Sequence, residues 1–132
     1  CINLDGWMVV VPDEIISNGI GKGFMYIGQK QWDEELNYKK LDRFIESNTN
    51  SSKILIPKTT HYDFSDTPHM SKAAKLLKKS GRLNSQRLKN ILNELIVSFF
   101  NRNLKNNSLK IDYYELANKY NINMIAEEFY NE

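Results

Sequence analysis

Three short apolar runs, Cys1–Leu4, Phe24–Ile27 and Lys53–Pro57, alternate with helix-patterned stretches through the first ~60 residues. That alternation constrains the chain more than any single residue does, because strands separated by helices pair side by side in parallel. A parallel sheet has two faces that helices must cover and two edges that must be protected. Three short strands cannot meet those needs alone. The pattern therefore predicts an α/β fold of about three short parallel strands with flanking helices and a helical C-terminus. It also predicts that the missing cover comes from another half of the same fold or from a homodimer partner.

The segments between the strands read as follows. Met8–Val11 is a brief apolar run ended by Pro12, and Asp13–Ile16 suggests a short helical turn. Gly19, Gly21 and Gly23 punctuate the approach to the second strand. Gln31–Ser47 is amphipathic, with Trp32, Leu36, Leu41, Phe44 and Ile45 near helical spacing, and Ser47–Ser52 is a polar turn. Beyond residue 61 the pattern turns helical. Thr67 can cap and Pro68 can start a helix reaching about Lys79, with Ser80-Gly81 as its stop. The longest helix begins at Asn84 or Ser85 and ends near Leu104. Its stripe is Leu88, Ile91, Leu92, Leu95, Ile96, Phe99 and Phe100. A short helix at Asp112–Tyr120 and an acidic, aromatic tail follow.

Two residues carry chemistry in this frame. Asp5 stands just past the first strand, in Asn3-Leu4-Asp5-Gly6-Trp7, and His61 stands just past the third, in Thr59-Thr60-His61-Tyr62. In a doubly wound sheet, loops beyond the carboxyl ends of strands form the crevice where reactions occur. Asp before His, each at such a position, is the latter part of the Ser…Asp…His order of serine hydrolases of the α/β type. No Gly-x-Ser-x-Gly occurs in the 132 residues. Asp-Gly is also a common turn dipeptide, and a lone histidine in a loop usually has no catalytic role. On pattern alone the two readings stand level.

Four blocks bring in a resemblance. These are Asn3-Leu4-Asp5-Gly6-Trp7-Met8, Gly23-Phe24-Met25-Tyr26-Ile27, Thr60-His61-Tyr62-Asp63-Phe64-Ser65-Asp66, and Gly81–Arg87 with Phe99–Leu104. Over roughly residues 1–105 the chain resembles the C-terminal half of the plasma-type platelet-activating factor acetylhydrolases, which are α/β-hydrolases. Residues 106–132 are left as an unassigned helical tail. The resemblance implies Asp5 as the acid and His61 as the base of a catalytic triad. It also implies a nucleophilic serine upstream of Cys1 and hydrolysis of a short-chain or phospholipid acyl ester, with no metal or organic cofactor. The expected partners are that ester substrate and the other half of the fold, or a homodimer partner. The chain's beginning at Cys1, inside an apolar run, reads as an internal position of a longer protein; a lipidated N-terminal cysteine is the rival reading.

The remaining signals are weaker. Eighteen Lys+Arg against 16 Asp+Glu give no reason to expect nucleic acid as a partner. One cysteine excludes an internal disulfide, and no run approaches the ~18 apolar residues of a membrane span. His61, Asp63, Asp66 and His69 cluster without a known metal-ligand spacing, and Asp66-Thr67-Pro68 reads better as a helix start. Gly19–Gly23 precedes a strand, the reverse of a phosphate-binding order, and reads as a flexible connection. Trp7 and Trp32 read as core or crevice wall. Lys72, Lys75, Lys78, Lys79, Arg82, Arg87 and Lys89 form a run without acids. A solvated helix face is its default reading, and contact with nucleic acid or an anionic membrane surface is the functional one. It also supports the alternative function, a non-catalytic interaction domain binding an anionic partner through residues 72–89.

Overall fold

The computed structural model describes residues 1–30, 35–66, 80–105, 112–122 and 125–129. Strands β1 (Ile2–Leu4), β2 (Phe24–Gln29) and β3 (Ser51–Ile56) pair in parallel, as the alternation predicts. A fourth strand, β4 (Ile125–Phe129), runs antiparallel beside β3, so the sheet order is β1-β2-β3-β4. The described helices are α1 (Asp13–Asn18), α2 (Glu35–Ser47), α3 (Ser85–Lys105) and α4 (Tyr113–Tyr120).

Every residue of β2 and β3 is buried, as expected for strands covered on both faces. Because side chains alternate along a strand, the two strands feed two cores. Met25, Ile27, Ile54 and Ile56 pack beneath α3, whose Leu88, Ile91, Leu95 and Phe99 form the buried stripe. Phe24, Tyr26 and Leu55 pack on the opposite face against Leu41, Phe44 and Ile45 of α2 and Ile16 of α1. Each such aliphatic side chain, fully buried, contributes about 1.5–3 kcal/mol. Three- and four-residue spacing thus builds the α3 stripe as the sequence pattern indicates, except that Phe100, expected on it, is 43% exposed.

Three further expectations need adjustment. The tail is not wholly helical: α4 is followed by β4. Ile125-Ala126-Glu127-Glu128-Phe129 contains two glutamates, which are poor strand formers. Pairing along the edge of β3, with Glu127 in register with Lys53, overrides that preference. Leu36 is 54% exposed and lies off the α2 stripe. The Gly19–Gly23 connection is pinned, since the buried Asn48 accepts from Ile20 N (2.8 Å) and Gly21 N (3.1 Å) and donates to Lys22 O (2.9 Å). The predicted helix over 68–79 and Trp32 lie outside the described residues.

Helix α4 is bounded as its sequence dictates. Asp112 accepts from Glu115 N at 2.8 Å at one end, and Asn121 turns left-handed (φ 48°) at the other. An exposed clasp ties α4 to α3: Glu94 accepts from Lys119 Nζ (2.7 Å) and Tyr120 Oη (2.5 Å). The Lys119 hydrogen bond, and then that of Tyr120, hold the Glu94 carboxyl below the usual carboxylate range. The same contacts push the Lys119 ammonium and the Tyr120 phenol up.

Candidate active site

Where β1 ends, the backbone at Asp5 enters the left-handed region (φ 52°), which Asp tolerates better than most residues. Asp5 N still donates to Ile27 O (2.7 Å), extending the ladder by one bond. Gly6 N donates to Asn3 Oδ1 (2.6 Å), closing the turn. This geometry carries the Asp5 side chain over the end of β2, where it is completely buried.

All the carboxylate's acceptor positions are used. Oδ1 accepts from Gln29 N (2.9 Å) and Tyr26 Oη (3.3 Å), and Oδ2 accepts from Gln29 Nε2 (3.0 Å). Tyr38 Oη in turn donates to Gln29 O (2.7 Å), fixing the residue that grips Asp5 from two sides. Gly28 makes room for this: a Cβ there would stand 2.6 Å from Asp5 Oδ1 and 2.5 Å from the Tyr26 ring.

The second contact of Oδ2 is His61 Nδ1, at 3.0 Å. The structure therefore brings together the two residues singled out by their strand-end positions, 56 positions apart in the chain. His61 opens a 3-10 turn (His61–Phe64) reached from β3 through Lys58, whose φ is 63°, and through the buried Thr59. Half of the His61 side chain is exposed while Asp5 is entirely enclosed. A carboxylate facing Nδ1 places the ring proton of the neutral form on that nitrogen. Nε2 is then the basic atom. The ring of Tyr62, half-exposed, stands edge-on to that of His61 with centroids 6.0 Å apart.

Asp63, two positions on, is also buried. Its Oδ2 accepts from Thr60 N (2.7 Å), Thr60 Oγ1 (3.2 Å) and Gly81 N (2.7 Å), and its Oδ1 from Ser80 Oγ (2.5 Å). Such an acceptor has little left for a cation. Among the described residues no group of three or more His, Cys, Asp or Glu is placed to hold a metal ion, and His69 lies outside them. Sequence reasoning did not find Gln29, Tyr26 or Gly28 as supports of Asp5. Their only signal was their position in, or just past, the clearest strand.

A family model for platelet-activating factor acetylhydrolase, isoform II, matches residues 1–123. The chain belongs to this family. No curated protein matches it. The family match extends past the four resembling blocks, through α3 and α4. A hydrolase of the platelet-activating factor acetylhydrolase type accords with an α/β sheet whose strand ends carry an Asp–His pair.

Among the described residues β1 pairs with β2 alone, and an apolar groove of about 430 Å³ lined by Ile2, Leu4, Met8, Ile15, Ile20 and Phe44 runs along one face of it. A second groove, of about 540 Å³, lies between Leu4, Phe64 and the Leu88, Leu92 and Ile96 side of α3.

Proposed function

We propose that this chain supplies the acid and base of a serine carboxylic-ester hydrolase. The nucleophilic serine, in a Gly-x-Ser-x-Gly turn, and the oxyanion-hole donors would come from chain outside these 132 residues. The single observation carrying this reading is the 3.0 Å contact between the buried Asp5 carboxylate and Nδ1 of a half-exposed His61. That arrangement suits a base that must reach a substrate while a shielded carboxylate orients it.

The chemistry follows from the ring's two nitrogens. Nε2 of His61 takes the serine hydroxyl proton as the oxygen attacks the ester carbonyl, and Asp5 stabilises the imidazolium that results. The same proton passes to the leaving alcohol. Water then repeats the cycle on the acyl-enzyme and releases the carboxylic acid, so no cofactor is needed. The substrate class is a short-chain or phospholipid acyl ester, in keeping with the family. The β1 edge, unpaired among the described residues, and the two grooves near it support a partner half of the fold, or a second copy, seated there. Arg82, Arg87 and Lys89 are exposed and would belong to a membrane-facing basic surface; Lys72–Lys79 lie outside the described residues.

The test is reconstitution. Alone, the chain should hydrolyse a p-nitrophenyl acetate ester no faster than background. Mixed with, or fused to, the upstream polypeptide, it should gain turnover that His61→Ala removes. Two folded halves that associate yet show no His61-dependent turnover would overturn the reading.

A further inference from the structure

We propose that Asp63 is the positioning residue of this site: its buried carboxylate determines where the His61 ring stands relative to Asp5. Its catalytic consequence rests on the reading of Asp5 and His61 as acid and base. The geometric claim does not.

His61 needs an outside anchor. It begins a four-residue 3-10 turn, a conformation with weak hydrogen-bond geometry, and half of its side chain is in solvent. Leu83, part of the core beneath α3, donates its N–H to Lys58 O at 3.0 Å, so the 80–83 segment lies along the exit from β3. The approach is so close that a Cβ on Gly81 would collide with Lys58 O and stand 2.8 Å from Thr59 Cα. Asp63 closes this clamp. One carboxylate oxygen takes both the N–H of Thr60, the residue immediately before His61, and the N–H of Gly81, each at 2.7 Å. The other oxygen takes Ser80 Oγ at 2.5 Å.

These donors, with the Thr60 hydroxyl, are all neutral, so among the described residues the charge of Asp63 is balanced by dipoles. Hydrogen bonds to a charged acceptor are about twice as strong as neutral ones. Gly81 and Ser80 are 18 and 17 positions from Asp63 in the chain, so the carboxylate joins the histidine turn to a distant segment. Remove the carboxylate, and the backbone flanking His61 loses this tie to residues 80–81.

Nitrogen-15 NMR of the imidazoles tests this on the 132-residue chain, with His69→Gln used to assign the two histidines. The Nδ1–H signal of His61 should be protonated and slow to exchange in the parent chain. In Asp63→Ala and Asp63→Asn, folded by circular dichroism, exchange should quicken at least tenfold and the ring-nitrogen shifts should move toward those of Asp5→Asn. Ser80→Ala and Thr60→Ala, each removing a donor, should move them the same way by less, and they stand in if the Asp63 variants do not fold. In the reconstituted enzyme Asp63→Ala should lower kcat and leave KM unchanged. Folded Asp63 variants with the parental signal, or stand-ins without effect, would overturn the proposal. A parental signal in Asp5→Asn would instead count against the Asp5–His61 pairing, so the two failures are distinguishable.

Discussion

Asp5 and Glu94 each sit at the centre of a hydrogen-bond cluster, but Asp5 is fully buried while 37% of the Glu94 side chain meets solvent. The donors differ as much as the burial. Asp5 is held by a backbone N–H, by side chains of β2 that are themselves buried, and by His61. Glu94 is held by the flexible ends of Lys119 and Tyr120. A buried acceptor left without its donors bears the full desolvation penalty, whereas an exposed one exchanges partner for water. The strand-end cluster should therefore fix geometry, and the α3–α4 clasp should only bias it.

The largest expected effect tests the buried cluster through chemistry. Asp5→Asn, in the reconstituted enzyme, should lower kcat roughly 10,000-fold by allowing the wrong imidazole tautomer. A loss below tenfold would place Asp5 with Glu94 as a merely stabilising acid. Next comes Gly28→Ala. Its methyl would overlap Asp5 Oδ1 and the Tyr26 ring, so urea unfolding should show a loss of about 3 kcal/mol, at the upper end for overpacking. Asn48→Ala should cost about 2 kcal/mol by the same measurement, since it strips Ile20 N, Gly21 N and Lys22 O of their partner.

The smallest effect belongs to the clasp. Glu94→Gln should barely shift global unfolding but should speed amide exchange in α4. Its pH dependence has a definite sign. The Glu94 carboxyl is lowered in the folded state, so its contribution is present above the ordinary carboxylate range and fades as pH falls through the folded value. Lys119 and Tyr120 are raised, so theirs is present below their ordinary values and fades as pH rises through the folded ones. Protection of α4 should thus decline at both extremes. Protection that stays flat across the acid range would show that packing of Leu116, not the clasp, holds α4.

What could be read from the sequence follows the same division. The three parallel strands, the α3 stripe and the Asp5–His61 pair are carried by local patterns: apolar runs, three-and-four spacing, and placement just past a strand. β4 is different, because two glutamates hide a strand that exists by pairing with β3. Asn48 lies in a stretch whose composition reads as an exposed polar turn, yet it is 1% exposed because the glycine-rich loop folds over it. Asp63 looked like one member of an acid–histidine cluster. Its use became visible only when Ser80 and Gly81 arrived from elsewhere in the chain. Supports built from distant backbone leave no periodicity to read.

The left-handed main chain at Asp5 has a consequence of its own. An ordinary L-residue there costs about 1–2 kcal/mol, whereas glycine, asparagine and aspartate adopt it with less strain. Torsion therefore biases the alphabet at this position toward three letters before any reaction is considered, by a margin that Lys58 (φ 63°) overcomes elsewhere in the chain. Only one of those letters carries the negative charge that can steady a protonated imidazole.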